Sequence, residues 1–420
     1  MYEGGAYAVS LALKIGLMAS QISGGSPALN ITAIVGFSVP ALPIKAKTNP
    51  MGMALLASAR WKLSNMQEYE LTKSELGEAQ RIRVAVRKGA EYGRCFFQSC
   101  SKPPIRSHVV QENGPLRDIS VGGKIIQLSS KPMIRAGVRP PGYYEFVECD
   151  IGARFGDVAT FYGFCNVHDP LLFESIEPKG YGAKVDWRCY RNQILQCYRI
   201  FCNELYKQEY NLKWYDEMFK STILSEQAKN TFRQRYRNFL LSIAHARFLK
   251  SQFEMDLFAG TKSFITHVFE IPLVPICAAI SYVVPTLYSI TTVEMNQFLQ
   301  GGLRRPESAY NFVNVFPSSK SLVVILATSG DATLPNRMDL DIIGKMSEWE
   351  KMLLVSRLIL VHGETWMISP KTFYNWQKSG FDKFVIDTVD FYFPLDRKNL
   401  PLIANIFDRR RAGSLPLTLE

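Results

Sequence analysis

The chain has 420 residues, of which 47% are hydrophobic and 21% are charged. This length and apolar content allow a sizeable core divided over two or three domains, and they exclude a wholly disordered chain. The formal net charge of +11 suits a nucleic-acid partner or an acidic membrane surface, although charge alone establishes neither. Eight cysteines at this length exclude a small disulfide scaffold and favour metal-bound or buried thiols in the reducing cytoplasm.

The N-terminal part of the chain predicts two segments. Residues 1–53 are rich in Gly, Ala, Ser and Pro and predict a loosely ordered leader, whereas residues 54–92 contain few helix breakers and predict a basic helix. The apolar stretches at 6–44 and 271–290 are interrupted by Lys or Pro and fall short of an uninterrupted membrane-spanning helix. A membrane partner is therefore disfavoured.

Three further segments follow in chain order. Residues 93–182 carry recurrent Gly and Pro and short apolar runs, which predict turns and short strands around a metal ion. Residues 183–262 predict a long helical hairpin, because aromatic and aliphatic residues recur at helical spacing on either side of a break near 221–225. Residues 263–420 predict a mixed β/α domain, with strands at 263–269, 277–284, 309–316 and 321–327 followed by closing helices.

Two close pairs of metal-ligand residue types fall inside the third segment. Cys95 and Cys100 are separated by four residues, and Cys165 and His168 by two. A structural zinc ion needs four soft or borderline donors, and each pair can supply two of them from one tight turn. The spacing therefore predicts a structural zinc site at these four residues, with His108 as an alternative fourth ligand.

The sequence around the two pairs resembles a known arrangement. Residues 107–110 read Ser-His-Val-Val, residues 113–114 read Asn-Gly, and residues 164–169 read Phe-Cys-Asn-Val-His-Asp, followed by Leu-Phe-Glu-Ser-Ile-Glu at 172–177. This order resembles a group of bacterial zinc-finger proteins with no established activity, and the resemblance covers about residues 93–180. The long gap between the two pairs is compatible with the hairpin insert of a treble-clef finger, so we expect an irregular zinc-stabilised module of that type.

More distantly, the same order is similar to HNH endonucleases. That similarity implies that His108 is the general base, which takes a proton from the water that attacks a phosphodiester. Asp169 falls where the ligand of a catalytic Mg²⁺ would lie. The chain departs from the HNH pattern at Cys165-x-x-His168, where that family has Cys-x-x-Cys-His, and it lacks the middle Asn. The plainer alternatives are a hydrogen-bonded structural histidine at 108 and a helix-capping aspartate at 169.

Basic residues gather beside the predicted metal site, where a firm support would suit contacts to phosphate groups. The alternative is a solvated helix face. The residues predicted to contact nucleic acid are Arg81, Arg83, Arg87, Lys88, Arg94, Lys102 and Arg106.

Together these features predict an α+β protein with a zinc-stabilised treble-clef-like module, a helical hairpin and a C-terminal β-rich domain with closing helices. The function they favour is zinc-dependent binding of nucleic acid, in its sharper form an HNH-like endonuclease that uses Mg²⁺. The alternative is a non-catalytic zinc-stabilised module that binds another protein, for example in bacterial defence. The chain shows no Walker-type phosphate loop, no Rossmann fingerprint and no Gly-x-Ser-x-Gly elbow.

Overall fold

The computed structural model describes residues 71–89, 93–130, 144–151, 160–177, 185–283, 291–318, 320–363, 365–392 and 406–407. The predicted leader at 1–53 and the beginning of the predicted basic helix lie outside these residues. The described part mixes helices with sheet, which confirms the predicted α+β class.

Short helical turns occupy Glu112–Leu116, Arg117–Ile119, Glu174–Ile176 and Met255–Ala259. The other elements follow in chain order. They are α1 (Lys73–Gly89), β1 (Arg106–His108), β2 (Lys124–Ser130), β3 (Tyr144–Asp150), β4 (Thr160–Tyr162), α2 (His168–Phe173), α3 (Tyr190–Lys220), α4 (Glu226–Glu254), β5 (Phe264–Pro272), β6 (Ile276–Val283), α5 (Thr292–Leu299), β7 (Tyr310–Pro317), β8 (Ser321–Ser329), α6 (Leu340–Lys345), α7 (Glu348–His362), β9 (Trp366–Ile368), α8 (Pro370–Ser379) and α9 (Phe381–Tyr392).

The central feature of the described residues is a seven-stranded sheet in the order β3-β2-β9-β6-β7-β8-β5, in which every pair is antiparallel. Both faces of β8 are buried. Val323, Ile325 and Ala327 belong to the core shared with the long helices, while Leu322 and Val324 belong to the core under the C-terminal helices. Burial on both faces explains why this strand reads as a continuous apolar run.

The helices α3 and α4 form the predicted hairpin on the first face of the sheet. The break between them falls at Ser221–Ser225, as predicted, because the Ser225 side chain accepts a hydrogen bond from Ala228 N (3.2 Å) and so caps α4. Helix α1 packs against this hairpin, and Trp214 Nε1 donates to the Ala79 carbonyl oxygen at 3.1 Å. The hairpin thus supports both α1 and the segment that contains the predicted metal ligands.

The insert between the two ligand pairs differs from the prediction of turns and short strands. It contains the seven-residue strands β2 and β3, and β2 pairs with β9 through Ile126 and Ile368. The reason is burial on both faces: Ile125 lies in one core, and Ile126 and Leu128 lie in the other. The predicted domain boundaries at 182 and 262 rest on composition, and one sheet runs across both of them.

Among the described residues, no helix has the length and apolar character needed to cross a membrane. The apolar stretch that begins at residue 271 continues, as far as residue 283, as the end of β5 and the strand β6.

Candidate metal centre

The first ligand pair lies on a tight turn. Cys95 N donates to the Lys102 carbonyl oxygen at 3.1 Å, and Cys100 N donates to the Phe97 carbonyl oxygen at 3.1 Å. Ser99 takes a left-handed conformation (φ 62°), which lets the chain reverse direction just before Cys100. These bonds fix the backbone from which both thiols project.

Two short strands carry the chain from the first pair to the second. Strand β1 pairs with β4, and Phe96 N and Ile105 N donate to the carbonyl oxygens of Gly163 (2.6 Å) and Phe164 (2.7 Å). Gly163 has no room for a side chain, since a Cβ there would lie 2.2 Å from the Phe161 ring. Helix α2 begins at His168, so that the second pair straddles the junction between strand and helix.

The four predicted zinc ligands meet at one point. The sulfur atoms of Cys95 and Cys165 lie 3.5 and 3.3 Å from Nδ1 of His168, and the sulfur atoms of Cys100 and Cys165 lie 3.9 Å apart. All four ligand atoms lie within 4.8 Å of one another. A tetrahedral zinc ion with ordinary bond lengths needs separations of about 3.5 Å between N and S and about 3.8 Å between two S atoms. The cluster can therefore hold a metal ion.

The backbone around the cluster already favours a thiolate. Burial opposes ionisation of Cys165, but hydrogen bonds from the backbone N–H groups of His168 and Val167 outweigh it and lower the pKa of this thiol. Burial raises the pKa of Cys95 to about 11, partly offset by the N–H of Cys165, which lies 3.3 Å from the Cys95 sulfur. A bound metal ion would deprotonate both thiols, because a thiolate is the form that coordinates.

Aromatic side chains hold the ligands in place. Phe97 stacks on the His168 ring with 4.0 Å between the ring centroids. Phe164, fully buried, makes edge contacts with Phe96 and Phe173 at 6.1 and 5.3 Å. The cysteine ligands Cys95 and Cys165 belong to the same apolar core as α3, so the cluster is continuous with the main body of the protein.

His108, the predicted general base, lies at the end of β1 and is half-buried. Its Nε2 is 3.4 Å from Oε2 of Glu112. Burial lowers the pKa of His108 below its usual value, and the charge of Arg199 lowers it further, whereas Glu112 acts in the opposite direction. The imidazole is therefore uncharged at neutral pH.

Asp169, the predicted ligand of a catalytic ion, follows His168 in the first turn of α2. Its Oδ1 is buried and makes no hydrogen bond of standard geometry among the described residues, but the buried Ser107 hydroxyl acts on this carboxyl group as a donor. Burial raises the pKa of Asp169, and the Ser107 hydroxyl and the charges of Arg199 and His108 offset this rise only in part. Since the charge of His108 acts on the pKa of Asp169, the fold brings the two predicted catalytic residues close to each other.

Arg199 is part of the same neighbourhood and was not predicted from the sequence. It is only 1% exposed in the middle of α3, its Nη1 contacts Oε1 of Glu177 at 2.7 Å, and its guanidinium lies 4.0 Å from the Phe173 ring centroid. Its position in the sequence did indicate a buried ion pair. An arginine inside the apolar stripe of a long helix is buried, and a buried charge requires a partner. Glu177, that partner, ends the motif at 172–177.

The predicted nucleic-acid contacts on α1 are partly engaged within the protein. Arg81 donates two hydrogen bonds to the carboxylate of Glu78, at 2.7 and 2.8 Å. The guanidinium of Arg83 lies 5.9 Å from the centroid of the Trp214 ring. The guanidinium of Arg81 therefore forms an ion pair within the protein.

The remaining predicted contacts lie in different local environments. Arg94 lines a cavity beside the first ligand turn, Lys102 is exposed, and Arg106 is half-buried in β1, where its charge acts on His108. The side chains of Arg87 and Lys88 lie outside the described part of the structure. That these seven residues contact nucleic acid therefore stays a prediction.

The chain matches no protein-family model, and searches of the curated proteins and of the solved structures found no match. The resemblance to zinc-finger and HNH proteins therefore stays an expectation, and any assignment of function has to come from the geometry of the site.

Proposed function

We propose that this protein is a zinc-stabilised, metal-dependent phosphodiesterase that acts on nucleic acid. The observation that carries the proposal is the placement of a half-buried imidazole, whose pKa is lowered by burial, and a carboxyl group with a buried oxygen in one neighbourhood. His108 lies on β1, which follows the first ligand pair, and Asp169 lies on α2, which begins within the second pair, so a zinc ion at the cluster would fix their spacing.

His108 would act as the general base. The carboxylate of Glu112 faces Nε2, which favours the tautomer with its proton on that atom and leaves Nδ1 as the acceptor. Because burial lowers the pKa of His108, the base is in its working form at pH 7. It would take a proton from the water that attacks the phosphorus atom.

Asp169 would hold the second, catalytic cation. Its carboxyl group has one protein donor, the Ser107 hydroxyl, and hard divalent cations such as Mg²⁺ prefer carboxylate oxygens. An ion at this carboxylate supplies charge neutralisation for the phosphate oxygens and the leaving group. The role of Asp169 in this arrangement is to bind and orient that ion. Burial raises the pKa of Asp169 overall, and the Ser107 hydroxyl and the charge of Arg199 oppose that rise.

The first experiment measures the zinc content of the purified full-length protein and of His168→Ala by elemental analysis. We expect about one zinc per chain in the parent protein. We expect the variant to lose the zinc, because the substitution removes the only nitrogen among the four donors. A parent without zinc would overturn the proposal, and a variant that keeps its zinc would move the fourth ligand to another residue such as His108.

The second experiment measures Mg²⁺-dependent cleavage of DNA and RNA by the parent, by His108→Ala and by His267→Ala. His267 is a suitable control, since burial also lowers its pKa but it lies on β5, away from the ligand turns. Loss of a general base costs about 10²- to 10⁴-fold in rate. Equal cleavage by His108→Ala and the parent would refute the catalytic role.

The second candidate is a non-catalytic zinc-stabilised module that binds another protein. The continuity of the ligand cluster with the main apolar core favours it, as does the engagement of Arg81 by Glu78. Salt dependence separates the two candidates: binding to phosphate groups weakens steeply between about 50 and 200 mM salt, whereas binding through an apolar interface does not.

A further inference from the structure

A cavity of about 750 Å³ lies between the first ligand turn and the helical hairpin. The turn from Gly93 to Ser101 forms one wall, and residues of α3 and α4 form the other. A cavity of this volume is in the range that accommodates a nucleotide-sized ligand. Its lining differs from the His108 neighbourhood, since none of His108, Asp169 and Arg199 lines it.

The charged residues that line the cavity are mainly cations. Lys213 projects from α3, while Arg247 and Lys250 project from α4. With Arg94 from the ligand turn these make four cations, facing two carboxylates, Glu209 and Asp216. Lys250 also contacts Glu254, a residue that does not line the cavity. If Lys250 is left out for this reason, the lining cations still outnumber the lining carboxylates.

Two of these cations are held by the fold. Arg247 donates from Nη1 to the Phe298 carbonyl oxygen at 2.7 Å, which fixes its guanidinium at the end of α5. Arg94 stands beside Cys95, so the ligand turn fixes its backbone. All four cations act electrostatically on the half-buried carboxyl group of Glu209. The cations therefore converge on one volume rather than pointing separately into solvent.

Tyrosine rings complete the lining. Tyr162, Tyr206 and Tyr210 all face the cavity, and the centroids of the first two rings lie 6.3 Å apart. Cations on a firm support bind phosphate groups, and aromatic rings provide stacking surfaces for bases. The combination suits a ligand with a phosphate group and a planar ring.

We propose that this cavity is a binding site for a phosphate-bearing nucleotide, held by Lys213, Arg247 and Arg94. The nucleotide is either a free molecule or part of a nucleic-acid strand, since both present the same chemistry. The proposal is independent of the hydrolytic centre, because it requires neither His108 nor Asp169.

The test uses the zinc-loaded full-length protein without added Mg²⁺. Calorimetry measures binding of ADP and of inorganic pyrophosphate, and fluorescence anisotropy measures binding of a labelled single-stranded 12-mer. The informative variant is Lys213→Gln, because Lys213 is exposed at the rim and its replacement leaves the core unchanged. The matched control is Lys124→Gln, whose side chain pairs with Glu148 on the β2–β3 hairpin and does not line the cavity.

We expect Lys213→Gln to weaken binding about tenfold or more, as loss of a charged hydrogen bond does, and Lys124→Gln to bind like the parent. Binding of ADP with this pattern identifies a free nucleotide as the ligand. Binding of the 12-mer alone with this pattern identifies a nucleic-acid strand. The proposal is overturned if no probe binds, or if Lys213→Gln binds as tightly as the parent.

Discussion

Cys165 is fully buried, yet backbone N–H groups stabilise its thiolate form. We therefore expect Cys165→Ser to lose its metal ion, because a hydroxyl group at this position replaces a soft sulfur donor. Elemental analysis of the variant checks this. Cys189→Ser is the matched control, since Cys189 is an exposed residue at the start of α3 and should keep the metal content of the parent. Metal loss in both variants would show that the site is not specific to the four residues.

The pH dependence of cleavage tests His108 as the base. Burial depresses its pKa, so the uncharged base persists below pH 6.5 and activity should fall only as the pH drops through the lowered pKa. Glu112 raises this pKa, so Glu112→Gln should move the acid limb of the pH–rate profile to still lower pH. An acid limb that stays in place, or moves to higher pH, would argue against His108 as the titrating base.

At the level of single residues, the sequence indicated which four residues cluster but not their surroundings. The spacing of Cys95, Cys100, Cys165 and His168 indicated the cluster that the structure shows, because two close pairs are a local signal. Arg199 was missed, because the apolar stripe around it indicates a buried pair but does not indicate its partner, Glu177, which lies elsewhere in the chain. The roles of His108 and Asp169 stay predictions.

At the scale of elements, Ser225 joins two helices. Its hydroxyl group caps α4 and donates to Oε1 of Glu75 on α1 at 2.6 Å. Glu75 is 4% exposed, and hydrogen bonds from Ser225 and Thr72 lower its pKa to about 2 against the opposing effect of burial. Ser225 therefore supports both a helix terminus and a buried carboxylate.

Ser225→Ala should consequently cost more free energy of unfolding than Ser347→Ala, which removes the exposed cap of α7. A cap alone is worth about 1 kcal/mol. A buried carboxylate that loses a donor adds about 1–3 kcal/mol. Denaturant unfolding of the two variants measures the difference, and equal losses would show that the bond to Glu75 contributes nothing.

The sequence predicted the elements with strong periodicity. The hairpin of α3 and α4 and the strands β5 to β8 lie close to their predicted positions, since long apolar stripes and short β-rich runs are local signals. The place of β2 and β3 in the sheet was not predicted. Burial of β2 on both faces removes its alternating pattern, and its partner strand β9 lies far along the chain.

At the scale of the whole molecule, the ligand cluster and the hairpin share one apolar core. We expect removal of zinc by a chelator to lower the Tm of the entire protein in a single transition, rather than to melt a small finger separately. Calorimetry and near-UV circular dichroism of the same sample, with and without chelator, check this. Two separated transitions would show that the ligand segment folds as an independent unit.

The pairing of β2 with β9 also has a consequence during synthesis on the ribosome. Ile126 is translated some 240 residues before Ile368, its partner in the sheet. At about 5–20 residues per second, the nascent chain waits roughly 10–50 s with one edge of β2 unpaired. An unpaired apolar strand edge is a template for pairing with other chains. Yield of the native protein should therefore depend on translation speed and on chaperones that shield this hairpin until the last strand leaves the exit tunnel.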